Sequence, residues 1–181
     1  MRKGDPTPKQ MKHFWGLVER RLITSANFQP YLDKRGSVNI YEVVVDYDQP
    51  FAKMIEACKL DWVNEDITVE HFPVKSKGKK KVKLQLYQFD RMVTGTEASK
   101  LLDEAGYRPA NPAELLAFGK KFLDKQRQFP IVAMGSSWRS PDGRLYVPVL
   151  YEDADERDLD LHWLGGDFGP HCRFLVVGKS A

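Results

Sequence analysis

"DLDLHWLGGDFGPHCRFLVV", Asp158 to Val177, alternates strictly at first, breaks at a pair of glycines and closes on an apolar run. Side chains along a strand point to opposite faces in turn, so Leu159, Leu161 and Trp163 share one side and Asp158, Asp160 and His162 the other. The pattern predicts a half-buried strand whose apolar face packs inward and whose acid and histidine face meets solvent or a ligand. The apolar run at its end, Arg173 to Val177, predicts a second strand.

Working back from this stretch, FPIVAMGSSWR (Phe129 to Arg139) and RLYVPVLY (Arg144 to Tyr151) read as strands joined by a turn at Asp142-Gly143. Pro148 donates no hydrogen bond, which predicts an edge or a bulge there. Upstream, Asn111, Pro112 and Glu114 have the types and spacing of a cap, a first-turn proline and a capping-box acid, with Leu115, Leu116, Phe118 and Phe122 on the buried side. A preceding helix, Thr96 to Ala105, closes at Gly106 as a left-handed cap. NIYEVVVDY predicts a strand, Pro50 starts a short helix through Cys58, and Trp62, Val63, Ile67 and Phe72 are expected core anchors with His71 packed beside them. Thr7 to Arg35 has the spacing of a helical hairpin. Strands, helices and then clustered strands make an α+β chain, divided as an N-terminal helical extension, 1–37, and one main domain, 38–181.

The net charge of +3 makes no case for nucleic acid over the whole chain. Locally, Lys75, Lys77, Lys79, Lys80, Lys81 and Lys83 precede the alternating VKLQLYQF, Val82 to Phe89. Such a run reads as a solvated loop or a protected sheet edge, and alternatively as a phosphate-binding patch that would make the chain nucleic-acid-associated. The absence of an aromatic residue within it argues against base stacking.

Catalytic groups are sparse. Ser136 and Ser137 lack a nucleophile elbow, and His171 and Cys172, as neighbours on a strand, face opposite ways. Asp158, Asp160 and His162 stand roughly 7 Å apart in succession and cannot converge on one ion without a bend. Asp153 and Asp155 do not open an EF-hand, which needs glycine where Asp158 stands. No metal, cofactor or catalytic residue is therefore assigned. Two distant cysteines, Cys58 and Cys172, read as free thiols of a reducing compartment. No apolar stretch has the length of a signal peptide or a membrane span, so the expectation is a cytoplasmic monomer, with display on a surface only through a partner.

Four segments, GYRPANPAELLAFGKKF, FPIVAMGSSWR, RLYVPVLY and the closing DLDLHWLGGDFGPHCRFLVV, resemble the variable proteins of diversity-generating retroelements. The resemblance runs from about Tyr41 to Lys179, roughly three quarters of the chain, and is densest after Gly106. It implies a C-type-lectin-like fold close to that of formylglycine-generating enzymes, and a ligand surface rewritten by an error-prone reverse transcriptase that replaces template adenines. Tyr151, Asp153, Asp155, Asp158, Asp160, His162, Gly165, Gly166, Asp167, Gly169, His171 and Cys172 would form that surface and bind an unknown protein or small ligand. Leu159, Leu161, Trp163, Phe168, Arg173 and Phe174 would be its scaffold. Adenine substitution in an asparagine codon never yields Lys, Glu, Gln or Met, and none of these occurs between Arg157 and Val177. Glu152 and Glu156 do not fit and would be fixed positions. The same fold suggests, as a further alternative, an enzyme of the formylglycine-generating type, which would need its two cysteines to meet.

Overall fold

The computed structural model describes residues 39–179; the helical hairpin expected at Thr7 to Arg35 lies outside them. The described residues are α+β, mostly sheet, with three short helices. In chain order the elements are β1 (Tyr41–Asp46), α1 (Phe51–Glu56), β2 (Trp62–Val63), β3 (Lys79–Tyr87), β4 (Val93–Thr94), α2 (Gly95–Glu104), β5 (Tyr107–Pro109), α3 (Pro112–Lys121), β6 (Ile131–Val132), β7 (Trp138–Arg139), β8 (Leu145–Asp153), β9 (Glu156–Trp163), β10 (Asp167–Phe168) and β11 (Arg173–Gly178). The main sheet runs β1-β3-β11-β6-β8-β9-β2, with β5 beside β11 and β7 beside β8. A small second sheet pairs β10 with β4.

Both faces of the middle of the sheet are covered, which is why β11 reads as a continuous apolar run rather than an alternation. Leu84, Ile131, Leu150, Leu159 and Leu175 face a first core with Phe51 and Met54 of α1 and Leu116 and Phe118 of α3. Val132, Val147, Val149, Phe174 and Val176 face a second core with Ala98 and Leu102 of α2 and Phe168 of β10.

The helix boundaries follow the local chemistry. Asn111 accepts from the Glu114 N–H at 3.0 Å and Glu114 accepts from the Asn111 N–H at 2.9 Å, closing the capping box that opens α3. Gly106 follows α2 at φ +83°, a left-handed conformation that costs glycine little. Glu114 does more than cap. Fully buried, it also accepts the Tyr47 hydroxyl at 3.1 Å and a two-pronged Arg108 guanidinium at 2.7 and 2.9 Å.

Three expectations are corrected. Pro148 is not on an edge but lies in β8 between β9 on one side and the separate short strands β6 and β7 on the other. A strand residue's N–H and C=O point to the same side, and the Pro148 carbonyl accepts from the Ala133 N–H, past the end of β6. The missing donor therefore faces Ala133, one residue past the end of β6, so the proline forgoes only the reciprocal bond of that last pair. Trp62 is not a core anchor but 45% exposed on the edge strand β2, whereas Ile67 and Phe72 are buried. Finally, β3 starts inside the lysine run rather than after it, because Tyr41–Asp46 supplies acids across the strand pair: Lys79 meets Asp46 at 3.2 Å and Lys83 meets Glu42 at 3.7 Å.

Cys58 is sealed in the first core and burial pushes its thiol up to about 11, while burial and then the Glu114 charge push the Tyr47 hydroxyl up to about 12. Each group binds its proton more tightly folded than unfolded, so each contributes stability that is full below its ordinary pKa and lost as the pH climbs through the raised one. Urea-melt midpoints should fall between about pH 9 and 12, and Tyr47→Phe should flatten the upper part of that fall. An unchanged slope in the variant would contradict the assignment.

Candidate surface around β8 and β9

The strand β9 runs antiparallel to β8 and parallel to β2, with Tyr151 opposite Asp158 on one side and Trp62 opposite Asp158 on the other. Register partners share a face, so Tyr151, Asp158 and Trp62 form one row across three strands. The next row holds Val149, Asp160 and Asn64, whose side-chain amide donates to the Asp160 carboxylate at 2.7 Å. Leu159 and Val63 alternate to the other face and meet the first core.

The acid face is less open than its alternation predicts. Asp158 is only 6% exposed, and its Oδ1 has no hydrogen-bond partner among the described residues. Burial first, then the charges of Glu156, Asp153, Asp61 and Asp160, hold its carboxyl above the usual range. The Tyr151 hydroxyl is raised by burial and by Asp160, Asp158 and Asp153, which puts it in the field of the same acids. A raised carboxyl pKa means that ionisation costs folding stability at neutral pH. Asp158→Asn should therefore raise the urea midpoint at pH 7 and lose that advantage as the pH falls and the wild-type carboxyl takes up its proton. A lower midpoint in Asp158→Asn at pH 7 would show that the charge is compensated.

Beneath the row lies a buried guanidinium. Arg157 is 6% exposed and donates to the carbonyls of Cys58 (2.9 Å), Lys59 (3.0 Å), Leu123 (3.1 Å) and Gly119 (3.4 Å) and to Gln126 Oε1 (3.1 Å). The Gln126 amide in turn donates to the carbonyls of Tyr151 and Asp158 at 2.7 and 3.2 Å. Carbonyls at and after the ends of α1 and α3 carry partial negative charge, and Arg157 gathers them under β9.

The other expected positions separate into two groups. Asp153 and Asp155 are exposed at the β8–β9 turn, Asp155 with φ +72°. His162, some four residues along β9 from Asp158 and so about 13 Å away, is half-buried, its ring 4.4 Å from that of Phe168. Gly165 and Gly166 form the turn into β10, which Asp167 opens; a Cβ at Gly165 would stand 2.7 Å from the Trp163 ring. Asp167 and His171 are exposed, while Gly169 and Cys172 are buried.

Among the scaffold positions, Leu159, Phe168 and Phe174 are each 1% exposed and Leu161 is half-buried. Trp163 departs from the expected inward packing at 44% exposure, with the Arg144 guanidinium 5.3 Å from its ring. Burial falls from Leu159 through Leu161 to Trp163, so the first core thins out along the strand. Arg173 donates to the carbonyls of Pro170, His171 and Cys172 at 3.0–3.2 Å and lies 4.7 Å from the Phe129 ring.

Asp61, Trp62, Asn64, Gln126 and Arg157 join the site without being expected there. Two residues of β2 leave no alternation to detect, and a buried arginine has no sequence signature distinct from a surface one. Cys58 belongs to the first core and Cys172 to the second, on opposite sides of the sheet, and both are free thiols. Among the described residues no helix is long and apolar enough to cross a membrane. Compared with protein-family models, curated proteins and solved structures, the chain matches none.

Proposed function

We propose that the chain is a ligand-binding protein of C-type-lectin-like type, without catalysis, whose C-terminal surface is diversified by a retroelement. The observation that carries this reading is the division within one stretch: Leu159, Phe168 and Phe174 are locked in the cores, while Asp153, Asp155, Asp167 and His171 between and beside them reach solvent. A surface that varies needs such a scaffold, because substitutions at solvent-facing positions cost little stability whereas those in a core do not. The exposed Asp153 and Asp155 at the β8–β9 turn, with the exposed ring of Trp62 on the same sheet, favour a basic target: an aromatic face and a carboxylate both attract a cation.

The test is to sequence the 3′ end of the gene and its flanking DNA across many copies. The expected result is a near-identical repeat beside a reverse transcriptase, with differences confined to template adenines in codons for the exposed positions. An invariant 3′ end without a repeat overturns the reading.

A further inference from the structure

At the other end of the sheet from β9, β3 is only partly enclosed. β1 pairs with Lys79–Leu84 along one side, but β11 covers only Leu84–Tyr87 on the other. Among the described residues no strand pairs with Lys79–Lys83 on that second side. The free edge opens into a cavity of about 650 Å³ whose wall includes the consecutive residues Lys80, Lys81, Val82 and Lys83. Side chains of both faces line it together, so what faces the cavity is the edge of the strand, with the backbone N–H and C=O groups of alternate residues. Across the cavity stand Val177, Gly178 and Lys179, where β11 leaves the sheet, and Arg108.

The charge is one-sided. Five cations line the cavity against one carboxylate, Glu114, which is filled by its own hydrogen bonds; Arg108 is paired with it, Lys83 with Glu42 and Lys179 with Asp103, which leaves Lys80, over the Tyr47 ring, and Lys81 without a carboxylate among the described residues. Opposite Val44, Lys81 has no carboxylate partner among the described residues, in contrast to Lys79 and Lys83. Lysines along an edge repel a basic strand and lose hydration against a neutral one but favour an acidic one, whose alternate side chains recur at about 7 Å, the spacing of Lys81 and Lys83.

We propose that the free edge of β3 docks an extended acidic segment of a partner protein by strand addition, backbone to backbone along Lys79–Lys83, with its alternate acids against Lys81 and Lys83. Main-chain pairing would supply affinity and the lysines selectivity. This site is separate from the acidic surface at β9, and neither depends on the other.

The full chain would be titrated, by fluorescence anisotropy, with a short labelled peptide of alternating glutamate and valine, with the same peptide N-methylated at alternate amides, and with a single-stranded oligonucleotide. The expected result is peptide binding that weakens about tenfold on N-methylation and about tenfold in Lys81→Glu/Lys83→Glu, with slowed amide exchange at 80–83 on binding. Both variant positions are exposed, and an unchanged urea midpoint would confirm that the double variant folds. Equal binding of the N-methylated peptide, tighter binding of the oligonucleotide, or no peptide binding at low salt would each overturn the proposal.

Discussion

Arg157→Met is expected to lower the unfolding free energy by about 3–5 kcal/mol, a loss that a urea melt reads directly. Methionine keeps much of the buried stem but leaves the carbonyls of Cys58, Lys59, Leu123 and Gly119 and the Gln126 side chain without their donor. Each stranded buried acceptor costs about 1–3 kcal/mol when water cannot replace the donor, and the total stays below the sum because the site relaxes. Arg157→Lys should recover a part, since an ammonium keeps the charge but cannot span this many acceptors in a plane. A methionine variant as stable as the wild type would mean that the carbonyls find water, and Arg157 would then not be what ties α1 and α3 to β9.

The second large effect is expected at Glu114. Glu114→Ala removes the acceptor of the Tyr47 hydroxyl, of the Arg108 guanidinium and of the Asn111 N–H together. Arg108 is 44% exposed at its side chain and can turn to water, so the cost falls mainly on Tyr47 and on the first turn of α3. The expected loss is about 2–4 kcal/mol, again by urea melt. Arg108→Ala tested beside it should cost less. If it costs as much, the ion pair and not the hydroxyl and the cap would hold the end of α3.

These two residues also mark the limit of what can be read before folding. The capping box at Asn111 and Glu114 was legible because its partners are three residues apart and the geometry is local. The alternation in β9 was legible too, and Leu159 and Leu161 do face the first core. What a strand's outward face meets is set by chain far away: α2 and β10 cover the middle of the sheet, and β2 brings Trp62 and Asn64 against Asp158 and Asp160 from almost a hundred residues earlier. For the same reason Arg157 and Gln126, polar by type, carry no sign that they are buried. The lysine run was legible as charge, but its place in β3 depends on the acids of β1.

The position of β11 has a consequence for how the chain is made. It lies between β3 on one side and β5 and β6 on the other, yet Arg173–Gly178 leaves the ribosome after all three. Until then no strand joins the β1–β3 pair to the β6–β8–β9 group within the sheet, and only α3, packed against β1 and β8, bridges them. The two halves of the sheet can therefore close on each other only after Arg173–Gly178 has emerged, and a message cut short ahead of Arg173 yields a chain without the strand that joins them.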